Sequence, residues 1–335
     1  MSKARRDLHR AKLRRERIRR EAHAAKGQAR QSPGQPPELA HPFAAERTMR
    51  ALQALLSDGK SKSKEDLNLR LQALLKTGHI EDLADARMGS DPAWRAQNLA
   101  YDALEADNLD EAIALVNEAL RLDPGCLDAQ RLTLSLTPLP ASDKIPLMQR
   151  LLLAFEERMG EEFFAENKGR FWGVIETRPY MRAMQDLGEA LAGLERFDEA
   201  IEVYERMLEL NTNDNQGVRD DLLGIYLAAG KPEMADALLK RFPSDEAHFS
   251  NQAWGRVIER WMAGDLNGAC DALAKARKLN AYAQSYLTGA RRMPGRLPNG
   301  FRIGSEEEAQ LTCARLMPAL KHHPEFLSWL RTNPL

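Results

Sequence analysis

The 335-residue sequence is short of the residues that staple, ligate or span. Its three cysteines, Cys126, Cys270 and Cys313, are far apart and odd in number, and no Cys-x-x-Cys or Cys/His cluster occurs. That argues against a disulfide framework and against structural zinc, and it fits a reducing cytoplasm. Aromatic residues make up only 6% of the chain. No apolar run approaches the roughly 18 residues that a membrane span needs. The first residues are charged without a following apolar stretch, which excludes a secretory leader; an Arg-rich, acid-poor start also fits the composition of a mitochondrial presequence. Signatures of catalysis are missing too. There is no Gly-rich phosphate loop, no HExxH and no GxSxG. Of the seven histidines only His322 and His323 are adjacent, and neighbours on a helix do not converge on one metal. No catalytic residue, metal site or cofactor is expected, and an enzyme is the least favoured of three functional classes.

Alanine, leucine, glutamate and arginine are abundant, side chains that lose little rotamer freedom in a helix. With 43% hydrophobic residues the chain can bury a sizeable core. Charge is unevenly spread. Residues 1–30 hold twelve basic and three acidic residues, a net +9; the remainder holds 36 basic and 46 acidic residues, a net -10. Residues 1–42, this basic arm and a Pro-rich linker, read as disordered. Residues 43–90 read as short helices forming an N-terminal cap, with Leu52, Leu55 and Leu56, then Leu67, Leu71, Leu74 and Leu75, at helical spacing.

From 91 to 332 the pattern becomes repetitive. Asp110-Glu111-Ala112-Ile113 is echoed by Asp198-Glu199-Ala200-Ile201, and alanines recur at Ala112, Ala200, Ala235 and Ala269, the last three spaced 35 and 34 apart. Gly230 and Gly264 lie just upstream, where a tight turn between helices needs positive φ. A period near 34 with small residues in register predicts stacked helical hairpins of the tetratricopeptide type. The expected fold is therefore an all-α, tetratricopeptide-like α-solenoid, with units near 93–126, 181–214, 216–249 and 250–283. A helical insert is expected over 127–178, helical at Ile145 to Phe155 and Glu161 to Val174. C-terminal capping helices are expected over 305–331, where Ser305 to Glu308 reads as a capping box and Pro324 starts a last helix.

Three further motifs are less generic: Phe163 to Gly173 (FFAENKGRFWG), Glu176 to Arg182 (ETRPYMR) and Asn213 to Arg219 (NDNQGVR). With them the chain resembles a bacterial family of tetratricopeptide proteins, which in turn resembles the repeat region of the eukaryotic suppressor-of-tumorigenicity-seven proteins. The resemblance covers roughly 91–332 and implies fold far more than function. The membrane-spanning segments of the eukaryotic proteins have no counterpart here.

In a solenoid, successive first helices line one concave surface. Arg178, Tyr180, Arg182, Asn215 and Arg219 sit at two hairpin entrances, so they are the expected contacts for a protein or peptide. Arginines near helix N-termini suit an acidic peptide, a carboxylate or a phosphate. The plainer alternative pairs Arg178 and Arg219 with Glu176, Asp220 or Asp221 and makes Tyr180 and Trp172 core. Gln185, Glu189 and Asp220 stand where chaperone-binding repeats carry their carboxylate clamp. Trp254 and Trp261, seven apart, share one helix face, as core or as a groove wall. The second functional class is association with nucleic acid or ribosomes through Arg14, Arg15, Arg17, Arg19 and Arg20. That contact would be salt-sensitive and non-specific, because no aromatic residue is interleaved for base stacking.

Overall fold

The computed structural model describes residues 43–57, 59 and 63–333. The basic arm and the linker lie outside these residues. The described chain is all-α and tetratricopeptide-like, and its one β-type pairing is an isolated bridge between Arg170 and Asn211. It divides into two compact units: the residues up to Gly160 together with Gly173–Ala183, and Glu161–Trp172 together with the residues from Met184 onward.

In the first unit, α1 (Ala44–Leu56), α2 (Lys64–Thr77) and α3 (Ile80–Met88) precede the hairpin of α4 (Pro92–Leu104) and α5 (Leu109–Leu122). Then come α6 (Leu127–Leu136) and α7 (Ala141–Asn167). The starts follow from the sequence. Ser63, Asp91 and Asn108 each accept a hydrogen bond from a main-chain N–H in the following turn, and Pro92 occupies the first helical position after Asp91. Ala51, Ile80, Ala84 and Trp94 form one core cluster; Ala96, Ala100, Leu115, Val116, Ala119 and Leu132 belong to a second. The leucines of α2 do not join either core. That helix buries none of its residues, and Leu67 and Leu75 are exposed. Over the insert, α7 is two helical stretches that meet at a break at Gly160, which adopts φ 78°, and the second stretch ends at Asn167, short of Val174. Residues Phe171–Gly173 and Ile175–Thr177 are short 3-10 turns.

The second unit carries the repeats. After α8 (Arg178–Gly193), which begins in the first unit, come α9 (Phe197–Leu210), α10 (Val218–Ala228), α11 (Pro232–Arg241) and the single turn α12 (Pro243–Glu246). They are followed by α13 (Ser250–Met262), α14 (Leu266–Leu279), α15 (Ala283–Leu287), α16 (Glu306–His322) and α17 (Pro324–Arg331). The repeat is visible in backbone hydrogen bonds. Glu195, Gly230 and Gly264 each follow a first helix with φ of 58°, 71° and 77°. Their N–H groups donate to Ala192, Leu227 and Trp261, while Arg196, Lys231 and Asp265 donate to Leu191, Tyr226 and Arg260. These are three copies of one Schellman stop. Ala112, Ala200, Ala235 and Ala269 are each the fourth residue of the second helix of their hairpin, and all are buried. Gly188 has a related reason: a β-carbon there would come within 2.8 Å of the buried Tyr204 ring.

Phe163, Phe164 and Phe171 gather around one another, with Phe164 and Phe171 centroids 5.0 Å apart. Gly169 (φ 85°) turns the chain so that its carbonyl accepts from Thr212 N at 3.1 Å. The Phe163 to Gly173 motif thus docks the end of α7 onto the turn after α9. Helix α16 packs on α10 and on α13, the first helices of two successive hairpins. Phe326 of α17 closes on Trp261 edge to face at 5.5 Å, while Trp254 is fully buried core.

Candidate functional site

The five residues expected to contact a partner fall into two groups. Arg178, Tyr180 and Arg182 lie at the start of α8, in the first unit; Asn215 and Arg219 lie at the start of α10, in the second.

In the first unit the arginines meet carboxylates from far along the chain. Arg182 bonds both oxygens of Glu46 at 3.0 Å, and Asp128 at 3.1 and 2.6 Å. Arg178 Nη1 reaches Glu46 Oε2 at 3.3 Å. Tyr101 donates its hydroxyl to Glu46, and Gln97 donates to Asp128, both at 2.7 Å. Glu46, Asp128 and Arg178 are all buried. Burial works to raise the Asp128 carboxyl, yet Arg182, Arg131 and Gln97 hold it below the ordinary range. Burial would lower the Arg182 guanidinium, and Asp128 and Glu46 push it up instead. Tyr101 is held protonated by burial and by the Glu46 charge. Tyr180 stacks on Phe155 at 5.0 Å and donates its hydroxyl to Glu156. These residues tie α1, α6, α7 and α8 together. Glu46 carries no local sequence signal and Asp128 only its i,i+3 neighbour Arg131, since each pairs with an arginine more than fifty residues away.

In the second unit, Asp214 (φ 46°) caps α10 by accepting from the N–H groups of Val218 and Arg219, at 2.9 and 3.1 Å. Arg219 bridges Asp214 at 3.1 Å and Asp245 at 2.7 Å, with its guanidinium 4.7 Å from the Phe242 ring centre. Its partners are therefore not Asp220 and Asp221. Those two share Arg315 of α16, at 2.6 and 3.3 Å. Burial pushes the Asp214 and Asp220 carboxyls up, and it pushes Asp221 up to about 6 against the pull of Arg315. Asn215 is exposed.

Beside these acids the second unit has a pocket of about 90 Å³. It is lined by Arg219 and Asp220 of α10, by Asn251 and Gln252 of α13, by Thr312 of α16 and by Phe301 on the loop before α16. Ser305 caps α16 by accepting from Glu308 N at 3.3 Å, so the helix begins as its S-x-x-E signature indicates. The Glu308 carboxylate does not return the bond to Ser305 N that a capping box would have, since Ser305 N donates to Arg302 O. It accepts from Gly304 N at 2.7 Å, Ser250 N at 2.9 Å and Asn280 Nδ2 at 3.1 Å, tying α16 to the start of α13.

Residues 182–214 match the family model described as tetratricopeptide repeat, which covers α8 from Arg182 and all of α9. No curated protein matches the chain. The chain carries a tetratricopeptide repeat, and repeats of this kind act in protein–protein interaction. Among the described residues, no helix is long and apolar enough to cross a membrane, and no three His, Cys, Asp or Glu side chains gather as a metal site would require. Arg14, Arg15, Arg17, Arg19 and Arg20 lie outside the described residues.

Proposed function

We propose that this protein is a non-catalytic interaction module that binds a protein or peptide on the concave face lined by the first helices of its hairpins, beside α16, which itself covers part of α10 and α13. The observation that carries the reading is the tetratricopeptide match over residues 182–214, set in helices that repeat the same Schellman stop three times. Asn215 is exposed at the entrance of α10 and is the contact we assign to the partner; Arg219, bridging Asp214 and Asp245, keeps only part of its side chain at the surface beside it. Arg178, Tyr180 and Arg182 are committed to internal partners, and their part is to fix the helices that present the surface. The likeness to the suppressor-of-tumorigenicity-seven repeat region rests on the motifs alone and adds no partner. Three free cysteines suit a reducing compartment such as the cytoplasm.

A second reading, docking on nucleic acid or ribosomes, is favoured by the +9 charge of residues 1–30. The two separate in one experiment: affinity capture from the source lysate with the full chain and with residues 1–42 removed, at low and high salt. The module reading expects the same proteins on both at high salt. Loss of all captured material on deletion, or in salt, would move the function to the arm.

A further inference from the structure

The loop between α15 and α16 has a composition unlike the rest of the second unit. From residue 272 to residue 305 the chain holds seven basic residues and no acid, although everything beyond residue 30 is net -10. Lys275 and Lys278 at the end of α14, and Arg291, Arg292, Arg296 and Arg302 in the loop, are all exposed. Elsewhere in the unit Arg196, Arg219, Arg256 and Arg315 each meet a carboxylate. Arg291 does so too, pairing with Glu306 at 2.5 Å with its guanidinium over the Tyr282 ring. Lys275, Lys278, Arg292 and Arg296 have no carboxylate partner among the described residues.

Apolar side chains stand among these cations. Leu297 and Phe301 are each 42% exposed and Ile303 is 61% exposed. Leu297 follows Arg296, and Phe301 and Ile303 flank Arg302. Pro294 and Pro298 cannot donate to a helix or a strand ladder. From Arg292 to Phe301, no main-chain N–H or carbonyl is hydrogen-bonded within the described chain. Exposed apolar side chains concentrated in one short segment mark an interaction surface.

Three kinds of polyanion would answer the charge, and the loop's other groups choose among them. A nucleic acid stacks its bases on rings, and Leu297 and Ile303 offer none. An anionic bilayer would take the aliphatic tips, but at that depth it has no donor or acceptor for the unbonded main chain. A polypeptide brings carboxylates, apolar side chains and main-chain donors and acceptors together. Phe301 also lines the opening beside Arg219 and Asp220 of α10 and Asn251 and Gln252 of α13, so the loop borders the first helices of two hairpins.

From this juxtaposition of unpaired cations, exposed apolar side chains and an unbonded main chain, we propose that the loop from Arg291 to Ile303 docks an acidic segment of a partner protein, one that carries apolar side chains among its carboxylates. The proposal rests on the interaction-module reading and adds the chemistry of the partner. Arg178, Arg182 and Arg219 are spent on internal carboxylates, so the cations left to meet the partner are those of the loop.

The test titrates the full chain, methyl-labelled at leucine and isoleucine, with a short peptide that alternates aspartate and leucine. The comparison ligands are an aspartate–serine peptide, a lysine–leucine peptide, single-stranded oligouridine, and vesicles of phosphatidylcholine and phosphatidylglycerol. The readout is the methyl resonances of Leu297 and Ile303, because residues 1–30 attract acids of their own. The expected result is a saturable shift of both with the aspartate–leucine peptide, and at least about ten-fold weaker binding of the other two peptides. Arg292→Glu combined with Arg296→Glu should weaken that peptide about ten-fold, and Leu297→Ser, read at Ile303, about five-fold. Circular dichroism should be unchanged at these exposed positions. Unmoved resonances, or equal binding of either comparison peptide, would overturn the proposal. Tighter binding of oligouridine or of vesicles than of the peptide would overturn it in favour of nucleic acid or a membrane. Lysate capture separates it from the broader reading. Proteins held equally by the wild type and by the doubly reversed chain refute the loop and leave the module standing. No captured protein on either chain refutes the module, and the loop proposal with it.

Discussion

Gly224 of α10 lies against the main-chain carbonyl of Arg315 in α16, so closely that a β-carbon on Gly224 would overlap that oxygen. The obstructing atom is backbone, which cannot swing aside as a side-chain tip would. The contact sets how α16 lies over the hairpin entrances, and so it also places Thr312 and Arg315 in the pocket lining. Gly224→Ala should destabilise the protein by about 1–3 kcal/mol, the usual cost of forcing volume into a packed interface. Gly193→Ala, with nothing near its β-position, is the control and should stay within about 0.5 kcal/mol. Urea unfolding of both variants checks this.

Glu195 stands where the next two repeats have Gly230 and Gly264, and it is forced to φ 58°. A non-glycine residue in this region pays about 1 kcal/mol or more. Its side-chain contacts are to Lys321 and His322, each at 3.5 Å and largely exposed, and exposed pairs return little. Glu195→Gly should therefore raise stability by about 0.5–1 kcal/mol, read as a higher urea midpoint at unchanged slope.

The alanines at Ala200, Ala235 and Ala269 and the glycines at Gly230 and Gly264 were readable in the chain because their role is local: each meets the neighbouring helix of its own hairpin or closes its own turn. The partners of Arg178, Arg182 and Arg219 were not. Glu46, Asp128 and Asp245 are ordinary acids by sequence, and only tertiary packing brings them to the guanidiniums. Neighbouring acids such as Glu176, Asp220 and Asp221 were the natural candidates along the chain. A helix, however, points residues one or two positions apart in different directions. The pocket was illegible for a further reason. Its lining comes from α10, α13, α16 and the loop before α16, and no spacing rule brings such distant segments together.

Arg182 is the hub of the buried network in the first unit. Arg182→Ala would leave Glu46 with only the longer contact to Arg178 for a cation and Asp128 with only Arg131, and should cost about 2–4 kcal/mol. Arg182→Lys should recover only part, because a single ammonium cannot fork between two carboxylates. Since Asp128 is held below its ordinary pKa, its contribution is present above about pH 4 and fades as pH falls through the folded value. Acid unfolding of the wild type should accordingly be steeper than that of Asp128→Asn.

Asp221 works in the opposite sense. Its pKa is raised by burial to about 6, so between about pH 4 and pH 6 the folded state binds more protons than the unfolded chain. Its contribution to stability is then lost as pH rises through that window. Asp221→Asn should remove this slope. At pH 7 it should gain about 1–2 kcal/mol, a figure reduced from the full shift because about a third of the side chain meets water. Thermal melts across pH 4–8 decide it.

The most direct test of the protein-binding account puts a photoreactive group at the pocket rim: p-benzoylphenylalanine in place of Phe301 in the full chain, with the same residue in place of exposed Leu153 in the first unit as control. After illumination in source lysate, the account predicts a discrete protein adduct from position 301, absent from position 153. No protein adduct from position 301, with nucleic acid the only retained material, would contradict it.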